Sequence, residues 1–240
     1  MRKSIFLRAE KTEMMELPVS CALIRHPKGN VLFDTGCHLS VATDPQARWG
    51  GLVKMMTTIM PPGENVLSSL EAVGVEPEDI DVVVCSHLHS DQCGCNQFFR
   101  KARFYVNARE MEAAKADGAT SAGYLSADWD HALPTTEIDG EHDLFGDGRI
   151  VLVPLPGHTP GTMGLRAQLD KSGSFLLASD AVSLLENLAQ NSAPRNTWNV
   201  DLYLESFANI RLMQAAGTIV ICGHDDAQWR SFRKGLDAHE

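Results

Sequence analysis

Four apolar runs in this chain each stop at a turn that carries histidine or aspartate. Asp81-Val82-Val83-Val84-Cys85 leads into Ser86-His87-Leu88-His89-Ser90-Asp91-Gln92, and Ile150 to Val153 leads into Pro156-Gly157-His158-Thr159-Pro160-Gly161. Ser174 to Leu177 precedes Ala178-Ser179-Asp180-Ala181, and Thr218 to Cys222 precedes Gly223-His224-Asp225. Short apolar runs bounded by turn residues suit buried strands, whose ends open into loops. Helical stretches lie between them, so the class is α/β, with two packed sheets covered by helices.

The remaining elements agree with that class. Val19 to Ile24 and Asn30 to Phe33 read as two strands joined at His26-Pro27-Lys28-Gly29, and Asp34-Thr35-Gly36 closes the second. Asn65 to Val73 has helical spacing with Gly74 as its C-cap, and Asn107 caps a helix that runs through Ala116. Phe104 to Val106 is a further strand. Gly164 to Leu169 and Ser174 to Leu177 form a hairpin, and Asp201 to Ala216 forms an amphipathic helix. Leu39 to Pro62 has no clear period and reads as a long loop with a helical piece. No Pro/Gly/Ser linker, repeat or low-complexity tract divides the chain, so residues 1–240 are expected to form one domain.

Composition narrows the partners. With 21 Lys+Arg against 31 Asp+Glu the net charge is −10, which disfavours nucleic acid or an anionic membrane as the main partner. No segment approaches the apolar length of a membrane span. The basic start Met1-Arg2-Lys3-Ser4-Ile5-Phe6-Leu7-Arg8 has too short an apolar stretch for a secretory signal. A cytoplasmic chain is therefore expected, with its N-terminus entering a strand and its six cysteines reduced. Cys21, Cys85 and Cys222 lie in apolar runs and read as small core residues, whereas Cys93 and Cys95 abut the histidine motif.

The chemistry lies in the four turns. His87 and His89 are two apart, so at an extended strand end their side chains point the same way, and Asp91 continues the alternation. Neutral imidazole and carboxylate suit zinc and its neighbours. His87, His89 and His158 make a three-histidine site. Asp180 can bridge to a second ion held by Asp91 and His224, and two adjacent cations acidify a shared water and polarise a carbonyl. Each residue alone would be an ordinary solvated or turn-capping group, as His26, His38, His131, His142 and His239 are read here. Their combination in this order argues for a metal site.

Those motifs, with Leu17-Pro18-Val19, Val31 to Gly36 and Val73 to Ile80, resemble the metallo-β-lactamase-fold hydrolases. Within them the chain is most similar to the N-acyl homoserine lactonases, from about Leu17 to His224. The resemblance implies an αβ/βα sandwich of two mixed β-sheets flanked by helices. It also implies a metal-dependent, quorum-quenching hydrolase that opens a lactone or other small ester with a metal-activated hydroxide, using one or two Zn2+ per chain. Carried over by residue, His87, His89 and His158 bind the first ion, Asp91 and His224 bind the second, and Asp180 bridges. Asp91 is also the expected proton carrier.

Two positions depart from that family. Gln92 stands where its pattern has histidine, and a neutral amide oxygen is a weaker, harder ligand, so the second site is expected to be weaker or to take another ion. Ser183 stands where the lactonases carry a tyrosine that hydrogen-bonds the substrate carbonyl. Both are carried as uncertain metal or substrate contacts. Cleavage of another bond (β-lactam, thioester or phosphoester) is the alternative among enzymes. A metal-binding sensor or pseudoenzyme with weak turnover is the alternative outside them. Met55, Met56, Ile59 and Met60 would offer an apolar surface to an acyl chain.

Overall fold

The structure is a computed structural model that describes residues 1–232, 235 and 238–240. The chain divides into two compact units, one of Val19–Ile138 and one of Met1–Pro18 with Asp139–Glu240.

The Val19–Ile138 unit is built on a mixed five-stranded sheet of β1 (Ala22–His26), β2 (Gly29–Phe33), β3 (Val82–Val84), β4 (Arg103–Asn107) and β5 (Thr135–Ile138), in that order. β1 and β2 form the expected antiparallel hairpin, and β2 to β5 run parallel. β3 sits in the middle and all three of its valines are buried. That is why its sequence shows no polar alternation. Each buried valine contributes about 1.5–3 kcal/mol relative to an exposed one. Helices α1 (Pro45–Trp49), α2 (Val66–Glu71), α3 (Ala108–Lys115) and α4 (Ser126–Trp129) complete the unit. Asn65 caps α2 by accepting the Ser68 N–H, and Asn107 caps α3 by accepting the Arg109 N–H. Val66, Leu70, Met111 and Ala114 from these helices join Leu32, Val83 and Phe104 in one core. The stretch after Leu39, expected as loop with a helical piece, holds α1 between two short 3-10 turns, Leu39–Ala42 and Gly50–Lys54.

The other unit has a second mixed five-stranded sheet, in the order β10 (Ile219–Cys222), β9 (Gly173–Ser179), β8 (Met163–Leu169), β7 (Ile150–Pro154) and β6 (His142–Asp143). β8 and β9 are the expected hairpin, and β10 adds parallel to β9. Helix α5 (Leu185–Gln190), helix α6 (Val200–Ala215) and helix α7 (Asp226–Ser231) belong here. Tyr203, Phe207 and Ile210 on α6 pack with Val153, Leu176 and Val220 from the strands.

The N-terminus differs from expectation. It does not enter a strand; Lys3–Ile5 is a 3-10 turn, and Arg2 makes only an isolated antiparallel bridge to Met14. Too few apolar residues alternate there to face a sheet. No helix among the described residues is long and apolar enough to cross a membrane.

Candidate metal centre

The histidine loop begins two residues beyond β3 and is braced from three sides. Asp34, at the end of β2, adopts a left-handed backbone (φ 60) and accepts the Ser86 N–H at 2.7 Å. Thr35 donates its N–H to the Gln92 carbonyl at 2.7 Å, while its hydroxyl meets Asn96 Oδ1 at 2.9 Å. From α3, the fully buried Glu110 accepts the Leu88 N–H at 2.9 Å. Alanine at Glu110 would leave that buried N–H without its acceptor, at a cost of about 1–3 kcal/mol. Denaturant unfolding should show that loss for Glu110→Ala and little for Glu110→Gln, which keeps an acceptor. An unchanged midpoint in Glu110→Ala would show that the brace contributes nothing.

Within this loop the expected residues come together. One ring nitrogen of His87 and one of His89 lie within 4.8 Å, and the rings meet edge-on with centroids 4.7 Å apart. His87 is completely buried and its Nδ1 lies 3.1 Å from Ser86 Oγ, so Nε2 is the nitrogen that could hold a metal. His89 is half-buried and rests against the Tyr124 ring, centroids 5.1 Å apart. Beyond the strand end the motif forms a tight turn: the Gln92 and Cys93 N–H groups both donate to the His89 carbonyl, at 2.9 and 3.1 Å. Asp91 is half-buried on this turn and Gln92 is buried. Burial pushes the Cys85 and Cys95 thiols up to about 12, so both stay protonated. Burial raises the Cys93 thiol as well. These cysteines pack the loop as small apolar groups.

In the second unit, His158, Asp180 and His224 form one buried group. His158 Nε2 lies 3.3 Å from one Asp180 oxygen, and His224 Nε2 lies 2.9 Å from the other. Two glycines permit this. A side chain at Gly223 would sit 2.7 Å from Asp180 Oδ1, and one at Gly157, whose φ is 139, would sit 2.4 Å from the Tyr203 backbone. The His158 loop is fixed to the start of α6, because Trp198 N–H donates to the His158 carbonyl at 3.0 Å and Asn199 N–H to that of Gly157 at 2.9 Å. Asp180 opens a 3-10 turn, Asp180–Val182, that follows Ser179 at a strained φ of 46. Ser183, at the end of the turn, is buried. Its carbonyl accepts the His224 N–H at 3.0 Å, and its own N–H faces the Tyr203 hydroxyl at 3.5 Å.

This donor set fits a cation. His224 Nδ1 lies 2.8 Å from the Pro18 carbonyl. A carbonyl only accepts, so Nδ1 carries the hydrogen and Nε2 presents its lone pair toward Asp180. Two acceptors 2.9 Å apart require a positive charge, a proton or a metal ion, to be compatible. Buried imidazoles and carboxylate are the ligands of zinc-class ions. Sequence reasoning missed Asp34 and Glu110 as braces and Tyr203 as the group beside Ser183, and it read Pro18 only as part of a family motif. All four act through contacts distant in sequence, and only Asp34 and Pro18 stood in motifs already noted.

Comparison with known proteins agrees with this donor chemistry. Residues 14–224 match the metallo-beta-lactamase superfamily, a stretch that runs through both units. The chain belongs to that superfamily, and its two mixed sheets with their helices are the metallo-β-lactamase fold. Among relatives, it is 34% identical to the N-acyl homoserine lactonase AttM of Azorhizobium caulinodans, over 91% of this chain and 86% of that one. It is 32% identical to an N-acyl homoserine lactonase of a Bacillus species, over 91% and 85% of the two chains. A solved N-acyl homoserine lactone hydrolase, with N-hexanoyl-L-homoserine bound at its catalytic metal centre, is 28% identical with a TM-score of 0.86, covering 96% of this chain and 90% of that one.

Proposed function

We propose that this protein is a metal-dependent, quorum-quenching lactone hydrolase whose substrates are N-acyl homoserine lactones. The observation that carries the reading is the buried Asp180 carboxylate with an imidazole nitrogen at each oxygen, at 3.3 and 2.9 Å, in a chain of this superfamily. In this reading residues 1–240 work as one domain. His87, His89 and His158 hold one zinc ion, Asp91 and His224 hold a second, and Asp180 serves both. Such ions supply Lewis-acid polarisation of an acyl carbonyl and make a water acidic at neutral pH. The chain's own part is to hold that geometry, keep the loops rigid through Asp34 and Glu110, and move the proton through Asp91. Met55 and Ile59 are exposed and give an acyl chain an apolar surface. Six free thiols suit a reducing, cytoplasmic setting.

The test is a hydrolysis screen on protein of measured metal content, across acyl homoserine lactones, simple esters, thioesters, β-lactams and phosphoesters. Lactones are expected to be the best substrates. Gln92 makes the second ion the weaker, so isolated protein should hold about one ion and Gln92→His should raise that toward two. Faster turnover of any other class would replace the lactone assignment. Two equally tight zinc ions in wild type under a competing chelator would refute the role given to Gln92. Metal-loaded protein that turns over none of these would favour a sensor.

A further inference from the structure

Residues Met1–Pro18 lie in the same unit as Asp180 and His224, although the chain between them leaves for the other unit. They fold back on themselves as a clip. The Met1 ammonium donates to the Met15 carbonyl at 3.0 Å and the Lys3 N–H to that of Glu13 at 3.0 Å. The clip is fastened through consecutive carbonyls: Ile5 accepts the Arg195 N–H at 2.8 Å, and Phe6 accepts Nδ2 of the fully buried Asn187 at 2.7 Å. The same segment meets His224 twice. The Pro18 carbonyl takes its Nδ1 at 2.8 Å, and the buried Phe6 ring stands edge-on to the imidazole, centroids 6.5 Å apart at 68°.

We infer that the clip is a positioning element for His224: Phe6 and the Pro18 carbonyl fix its tautomer and ring orientation and so set the affinity of the second metal ion. The inference rests on the two-ion reading above and extends it to residues outside the ligand set. The physical reason is general. A ligating histidine whose other nitrogen is held by a carbonyl keeps one tautomer and a fixed ring, and loss of such support lowers metal affinity by about 10–100-fold. Nothing in the Phe6 side chain can ligate, so its effect must pass through His224.

The experiment uses the full chain as wild type, Phe6→Ala and Phe6→Leu, loaded with excess zinc and challenged with a chelator. Each ion's release and the metal-free unfolding midpoint are measured. Phe6→Ala should hold one ion about tenfold more weakly and the other as wild type does. Phe6→Leu keeps the bulk but loses the ring edge. It should fold like wild type, weaken the same ion by less, and shift the visible spectrum of the cobalt(II)-loaded protein at that site. Wild-type affinity for both ions and an unchanged cobalt spectrum in Phe6→Leu would overturn the inference, even if Phe6→Ala folds poorly. Equal weakening of both ions would also overturn it, since that reads as general loosening. If wild type itself never takes a second ion in excess zinc, the two-ion reading fails, and the inference with it.

Discussion

His87→Ala is expected to strip the tighter metal ion and bring lactone turnover below detection. His87 is completely buried and Ser86 Oγ lies 3.1 Å from its Nδ1, so its ring has one fixed orientation and one nitrogen for a ligand. Loss of one imidazole from the proposed three-histidine set would leave two, too few to hold zinc in a closed or nearly closed coordination sphere. The neighbouring His89 cannot substitute, because in this reading it is already one of the three ligands. The measurement is metal per chain and turnover on one preparation, beside an unfolding midpoint that separates lost metal from lost fold. A fully metallated His87→Ala would remove His87 from the ligand set.

Asp91→Asn should lower turnover by about 10²-fold or more, the scale of general acid–base assistance, while metal content falls less. Ring opening leaves an alkoxide that departs poorly without a proton, and a carboxylate near the attacking water can carry one across. Asp91 is half-buried on the same turn as His89, whereas Gln92 beside it is enclosed. Asparagine keeps an oxygen that can ligate but cannot shuttle a proton. Unchanged turnover in fully metallated Asp91→Asn would leave Asp91 as a ligand only.

The parts of the fold that could be read from the chain are those where burial imposes a pattern. Val82 to Val84 and Ile150 to Val153 are enclosed on both faces, so their sequences are wholly apolar, and β9 is buried from Phe175 onward while its partner β8 exposes Gln168. β5, Thr135–Ile138, and β6, His142–Asp143, escaped notice because they are largely polar edge strands with little buried. At the site, the grouping of His87 with His89, and of His158 with Asp180 and His224, was visible as residue types at strand ends. What holds them was not. Glu110 reaches Leu88 from another element, and Tyr203 reaches Ser183 from α6; neither residue announces itself by type or spacing. The N-terminal clip was missed for the same reason, since it is fastened through backbone carbonyls that every residue possesses.

The Asp34 brace has a consequence for how the protein is made. The bonds from Asp34 to Ser86 and from Thr35 to Gln92 join residues more than 50 positions apart, and both depend on β2 lying parallel to β3. Parallel pairing across such a separation is slow to form, because the loop must close before its contacts stabilise anything. The histidine turn therefore takes shape only after the central strands have found each other. In the proposed reading, a nascent chain would offer scattered imidazoles to passing metals before it offers a binding site, so selectivity for an ion would belong to the finished fold.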